Sequence, residues 1–293
     1  MLETWVWLSL LGAGAQNFRA ALQKSLTANL DVLGAAYTRF IFAVPFAWAY
    51  VLWLAPAFKP NAVFLGYALT GGLAQIAGTI WLLAAFTTRN FAVATALSKT
   101  ETIQTVLLSL IVLGELVSLY GFIGIVVSLV GVWLLNPVGA VRSIGPIDRG
   151  MLNGLLSGLG FAVAAVSYRG ASLSLPELPF HEQAACTLAA ALTIQTLSFG
   201  GYLFWRGRAQ LVGAVRSWRR SIWVGLAGAA ASACWFSAMA LINVSYVRAL
   251  GQIELVLSFA VSLLWFKEKT TRREVIGVSI LTAGIVVVLL ARS

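Results

Sequence analysis

Four ionisable residues lie deep inside apolar sequence, and they come in two matched sets. Lys99 and Glu101 sit within the run 91–113, and Arg248 and Glu254 sit within the run 244–266. A charge near the centre of a bilayer costs about 2.5–3.5 kcal/mol on insertion scales, so it takes a partner or lines a polar cavity. A cavity furnished this way can receive a carboxylate on Lys or Arg, and an amine or a proton on Glu. At 100° per residue, Thr95, Ser98, Lys99, Thr102, Thr105 and Ser109 gather on one arc with Glu101 at its edge. Adding 153 to each number gives Arg248, Gly251, Gln252, Leu255, Ser258 and Ser262 with Glu254 at the edge, so the stripe occurs twice. Residues two apart do not face each other on one helix, which points to pairs between helices: Glu101 with Arg248, or Lys99 with Glu254. Such a pair is either a substrate site or a structural bridge. The small polar residues that continue the stripe favour the site. Lys99, Glu101, Arg248, Gln252 and Glu254 are therefore candidate substrate-binding residues, with Glu101 and Glu254 as candidate proton carriers.

Other polar and aromatic residues join this set with weaker warrant. Gln16 and Asn17 interrupt the first apolar run and either bind substrate or bond a neighbouring helix. Trp81, Tyr168, Trp235 and Tyr246 lie deep in their runs or beside the stripe and can wall a pocket. Trp5, Trp7, Trp53, Trp205, Trp218 and Trp223 lie near run ends, where indole rings anchor at the headgroup level. Arg39 lies near the start of the second run. Glu115 and Glu268 each precede a helix start, where a carboxylate caps amides and meets the positive dipole end. His181, the only histidine, stands beside Glu182 at a run end, and this couple is the only constellation suited to a membrane-embedded enzyme. Cys186 and Cys234 lie in apolar runs and suggest neither a disulfide framework nor a metal site. No phosphate loop, metal-ligand cluster or nucleophile elbow occurs, so no cofactor is expected.

The elements that must position these residues are transmembrane helices. The chain is 60% apolar and only 10% charged, with a mean hydropathy of +0.89, more apolar surface than a soluble fold of this size could bury. A net charge of +10 would suggest nucleic acid in a soluble protein, but here the basic residues fall in short loops between apolar runs. Ten such runs occur, at 4–21, 33–54, 62–86, 91–113, 118–136, 150–170, 180–204, 221–242, 244–266 and 273–291. The first lacks a basic lead and is expected to be retained as a helix. Six of the seven prolines fall between runs, and Pro45 is expected to kink the second. Asn90 and Asn243 mark very short turns, where Asn tolerates the left-handed conformation that ends a helix.

The two stripes belong to a larger repetition. Glu115 and Glu268, Gly124 and Gly277, Gly131 and Gly284, Asn90 and Asn243, and Gly72 and Gly225 are all 153 apart. The stretch 137–149, with Pro137, Gly139, Gly145 and Pro146, joins a repeat of residues 1–136 to one of residues 150–293. Five helices per repeat is odd, so the second repeat enters the membrane from the opposite side. The expected fold is an all-α integral membrane protein with ten transmembrane helices as two inverted five-helix repeats, the usual plan of a secondary transporter. Loops after odd-numbered helices carry Lys24, Arg89, Arg142, Arg149, a group from Arg206 to Arg220, and Lys267 to Arg273. The even loops offer Lys59, Arg169 at a helix edge, and Arg292 in the tail. By the positive-inside rule the odd loops are cytoplasmic and both termini outside. Gly121, Gly124, Gly131, Gly277 and Gly284 have the spacing of close helix packing.

With these residues in place, the chain resembles the drug/metabolite transporter superfamily with paired EamA-type domains. Ala96-Leu97 through Leu113-Gly114-Glu115-Leu116, then Gly121 to Gly124 and Gly131-Val132, carry the likeness in the first half. Ala249-Leu250 through Phe266-Lys267-Glu268-Lys269, with Gly277 and Gly284, carry it in the second. The resemblance implies alternating access around a central cavity lined by helices one, three, four, six, eight and nine. It also implies export of amino acids or other small metabolites, with relatives that carry drugs, nucleotide sugars or triose phosphates. Three features depart from the pattern: no proline stands mid-way in helix four or nine, the spans hold more charge, and many members keep their termini in the cytoplasm. The expectation is a monomeric exporter of a small zwitterionic metabolite, most simply an amino acid, in a bacterial inner membrane. The alternatives are efflux of lipophilic cations or of sugar- or phosphate-linked metabolites, and an enzyme built on His181 and Glu182.

Overall fold

The computed structural model describes residues 3–26, 30–88, 96–135, 149–264 and 270–291. Among them the fold is all-helical with no strand: thirteen helices, and a helical stretch at 96–98 that leads into the fourth of the expected spans. In chain order these are α1 (Thr4–Leu26), α2 (Val32–Ile41), α3 (Val44–Leu54), α4 (Ala62–Thr88), α5 (Glu101–Leu113), α6 (Leu119–Leu135) and α7 (Arg149–Leu173). Then follow α8 (Phe180–Arg206), α9 (Arg208–Arg216), α10 (Trp218–Leu241), α11 (Val244–Gly251), α12 (Ile253–Leu264) and α13 (Arg272–Leu290). Seven segments of the described chain are long and apolar enough to cross a bilayer, and Leu119–Leu135 is a shorter apolar helix. This is an integral, multi-pass membrane protein.

Three of the expected spans are broken rather than continuous. The second divides at Phe42 and Ala43, ahead of Pro45, whose missing N–H interrupts the ladder. The fourth divides at Lys99 and Thr100, and the ninth at Gln252. Neither of these two breaks has a proline. At the first, Thr100 Oγ1 donates to Leu97 O at 2.6 Å, and Thr100 N and Thr102 N bond carbonyls only three residues back. At the second, Gln252 N and Leu255 N do the same, just after Gly251. Lys99 and Gln252 are 153 apart, so both repeats break at one position.

Some local readings need correction. Asn243 is not left-handed (φ −48°, ψ 127°); its side chain accepts from Ser245 N and starts α11 instead of ending α10. Among the described residues the left-handed glycine is Gly114 (φ 67°), which closes α5 with bonds from Gly114 N to Leu110 O and from Glu115 N to Ser109 O. The side chain that caps α6 is Ser118, accepting from Gly121 N at 3.1 Å. Trp5 is 4% exposed and donates to Glu3, so it is packed, whereas Trp7, Trp53, Trp205, Trp218 and Trp223 are exposed. Residues 208–216, expected as loop, form α9. Asn90, Thr95, the stretch 136–148, Glu268 and the Ser262 side chain lie outside the described residues.

The chain divides into two compact units, each drawn from both halves of the sequence: residues 1–73 with 167–242, and 74–166 with 243–293. In the first unit α1 runs antiparallel to α10, Gly12 lying against the Trp235 ring and Arg19 against Gly228. Tyr37 and Phe40 of α2 meet Phe199 of α8 edge-on. In the second unit α6 and α13 press backbone to backbone. A Cβ at Gly124 would lie 2.8 Å from Val288 N, and one at Gly277 would lie 3.1 Å from Gly131 O. The glycine spacing thus serves close packing.

Candidate functional site

The site is built where the two broken helices of the second unit cross. Each break ends one helix and starts another inside the apolar span, which creates local dipole ends. Glu101 becomes the first residue of α5 and Glu254 falls in the first turn of α12, both at positive ends. Arg248 falls in the last turn of α11, at a negative end. The charges therefore stand where their own helices favour them.

Glu101 Oε1 lies 2.6 Å from Arg248 Nη2, with side chains 11% and 22% exposed. Gln252 Nε2 donates to Thr102 Oγ1 at 2.9 Å, and Ser109 Oγ and Ser245 Oγ share a hydrogen bond at 3.1 Å. From Thr102–Gln252 to Ser109–Ser245 the partner falls on one helix as it rises on the other, so the two segments run antiparallel here, with the Glu101–Arg248 pair beside the first of these contacts. Ser98, Glu101, Thr102, Thr105 and Ser109 are buried on one side, and Ser245 and Gln252 on the other. Gly158 of α7 lies against the first break, where a Cβ would come within 3.0 Å of Ser98 O and of Thr100 Oγ1.

Several buried polar atoms here have no hydrogen-bond partner: Gln252 Oε1, Gln104 Oε1, Thr105 Oγ1, Ser157 Oγ and Arg248 Nε. Buried polar groups are normally satisfied, so a cluster of unspent donors and acceptors around an ion pair marks a place that can engage a polar solute. The arrangement offers acceptors from two amide oxygens and a carboxylate, and a donor from a guanidinium.

The remaining predicted residues fall in various places. Lys99 occupies the first break and is half-buried; Glu254 is half-buried, and these two do not pair with each other. Trp81 is half-buried on α4. Tyr246 is engaged with the α6 start: its ring faces Gly121 and its hydroxyl accepts from Ser118 N at 3.0 Å. Asn17, Tyr168 and Trp235 belong to the first unit. Tyr168 packs on Phe236 with centroids 4.6 Å apart, and its hydroxyl accepts from Gln195 Nε2 at 2.9 Å. Trp235 is buried and its indole N–H has no hydrogen-bond partner. Asn17 is half-buried on α1, which runs through Gln16 and Asn17 without a break.

The first unit also holds charges that sequence alone ranked low. Arg169, at the edge of its predicted span, is buried and donates to Met239 O in the last turn of α10, satisfying a helix-end carbonyl. Arg19 donates to Gln23 at 2.9 Å, and Arg39 lies 4.5 Å from the centroid of Phe40. A cavity of about 630 Å³ opens beside Lys59, Asn61, Glu177 and Glu182. His181 Nε2 is 4.0 Å from Glu182 Oε1 in the first turn of α8, and His181 is half-buried.

A multi-pass chain, all-helical among the described residues, whose sequence repeats at a fixed offset and whose charges stand at breaks in both repeats belongs to the class of membrane proteins built from an internal repeat. The chain belongs to the EamA-like transporter family, whose model matches it twice, over residues 4–136 and 148–290. It is thus a membrane transporter of small molecules by family, with two EamA repeats. A solved structure described only as "Crystal structure of protein" is similar in fold, with a TM-score of 0.72 at 18% identity, covering 100% of this chain and 99% of that chain. No curated protein matches the chain.

Proposed function

We propose that the protein exports a zwitterionic metabolite, most simply an amino acid, by exchanging ion-pair partners at Glu101 and Arg248. The observation that carries this reading is the 2.6 Å pair set at two helix ends within apolar sequence and ringed by unspent polar atoms. A zwitterion can open the pair by giving its carboxylate to Arg248 and its ammonium to Glu101, with no net charge added to the membrane interior. Gln252, Gln104 and Lys99 then supply further contacts. The pair also argues against lipophilic cations, because Glu101 already holds its counter-charge.

In this reading residues 1–136 and 150–293 are inverted five-helix repeats, ten spans in all, that rock about the site in alternating access. Trp81, Tyr168, Trp235, Tyr246 and Asn17 serve the substrate's side chain as the route opens. Glu254 and Glu101 are the candidates for proton coupling. The working unit is a monomer in a bacterial inner membrane with both termini outside.

The test is uptake of labelled amino acids by purified protein in liposomes, with and without a pH gradient. Saturable uptake that Glu101→Gln abolishes, and that Glu254→Gln or Lys99→Ala reduces, is the expected result. Dependence on the gradient would add proton coupling. Folded protein that moves no amino acid across a broad panel overturns the assignment.

A further inference from the structure

We propose that the arginine-rich connection between α8 and α10, centred on α9, is a binding surface for anionic phospholipid headgroups. Its charge is one-sided: Arg206, Arg208, Arg216, Arg219 and Arg220 lie here, and no Asp or Glu occurs anywhere between Glu182 and Glu254. Among the described residues none of the five makes an ion pair. Arg208 lies 4.7 Å from the Phe204 centroid and Arg219 lies 5.6 Å from that of Trp218, contacts that orient a guanidinium without neutralising it.

The faces of α9 identify the partner. One face packs on the α2 region: Ala214 is fully buried, the Gln210 backbone lies against Gly34, and Gly213 lies against Leu30. The other face exposes Arg208, Val212, Val215 and Arg216 together. Exposed valines flanked by arginines suit a helix lying in the bilayer interface, apolar groups at the acyl boundary and guanidinium groups reaching phosphates. Both ends of α9 run within two residues into membrane-length helices, which holds it at that level. Trp205 (83% exposed), Trp218 and Trp223 flank it as interfacial indoles. An acidic protein would match the charge but leave valines and indoles facing water; a lipid surface matches both. Arginine presents a forked donor set that suits a phosphate better than a point charge does.

The test uses the full chain in neutral detergent, with native mass spectrometry and thermal unfolding against added phosphatidylglycerol, phosphatidylcholine or inorganic phosphate. Each juxtamembrane arginine contributes roughly fivefold in affinity for an anionic lipid surface, so the exposed set R216Q/R219Q/R220Q is expected to lose about 100-fold. Wild type should retain phosphatidylglycerol and melt higher with it, while phosphatidylcholine and phosphate have little effect. K59Q, on another loop, should behave as wild type, and lipid-free melting confirms that the triple variant folds. The proposal is overturned if the triple variant keeps phosphatidylglycerol within threefold of wild type. It is equally overturned if wild type binds phosphatidylcholine as tightly, or if inorganic phosphate reproduces the effect.

Discussion

Separating the two roles open to the Glu101–Arg248 pair requires removing its charges one at a time and then together. Glu101→Gln leaves a guanidinium 22% exposed in apolar surroundings, and Arg248→Met leaves a carboxylate 11% exposed. Unit charges about 4 Å apart at an effective dielectric near 20 attract by about 4 kcal/mol. Breaking a buried pair by deleting one partner costs about 3–5 kcal/mol, because the survivor stays desolvated and unpaired. Part of the cost is offset here by the helix end each charge occupies, worth a few tenths to about 2 kcal/mol. We therefore expect each single variant to lose about 3 kcal/mol of stability. The double variant removes both charges, and its stability should return to within about 1 kcal/mol of wild type. Unfolding in detergent measures the first quantity, and initial uptake rates in liposomes at matched folded protein measure the second. If the pair receives substrate, the double variant is stable and inactive. A double variant that transports within twofold of wild type would make the pair a brace and refute the exchange mechanism.

Gly124→Ala sets a Cβ 2.8 Å from Val288 N and 2.9 Å from Gly284 O, both backbone, so α6 and α13 must part; thermal unfolding should show a loss of about 1–3 kcal/mol. Gly158→Ala presses on Ser98 O, Thr100 Oγ1 and Glu101 N at 3.0–3.1 Å, and is expected to lower transport at least tenfold, on the order of 1.4 kcal/mol, while the protein remains folded. Arg169→Met deletes the charged donor to Met239 O and should cost about 1.5–3 kcal/mol, read from the same melting curves. Thr271→Ala removes one arm of the capping box with Glu274 that starts α13, for a loss of about 1 kcal/mol.

Much of this arrangement is legible in the sequence. The 153-residue offset locates the repeat, the charges in apolar runs locate the stripe, and spacing offers two pairs, Glu101 with Arg248 or Lys99 with Glu254, of which the first forms. The glycines of α6 and α13 meet as their spacing suggests. What spacing cannot give is the breaks, because a helical wheel assumes a continuous helix and neither break carries a proline. Tyr246 was legible as a deep aromatic, but its hydroxyl turns out to be held at Ser118, 128 positions away in sequence. α9 is not legible because nine residues with an arginine at each end carry no periodicity strong enough to separate helix from loop.

The breaks explain why charge is tolerated at these positions. In a continuous helix Glu101 and Arg248 would stand mid-span, far from either dipole end, and each would depend wholly on the other. Broken, they stand at a helix start and a helix end, so each is partly stabilised by its own backbone before the pair forms. Opening the pair to a ligand then costs less than breaking an ordinary buried ion pair, which a site that must bind and release requires. A net-neutral solute with both charges replaces both halves of the interaction. A cation alone would satisfy Glu101 and strand Arg248. Under the proposed exchange mechanism zwitterions therefore rank ahead of cations, and the ranking rests on the position of two helix breaks that recur at one place in both repeats.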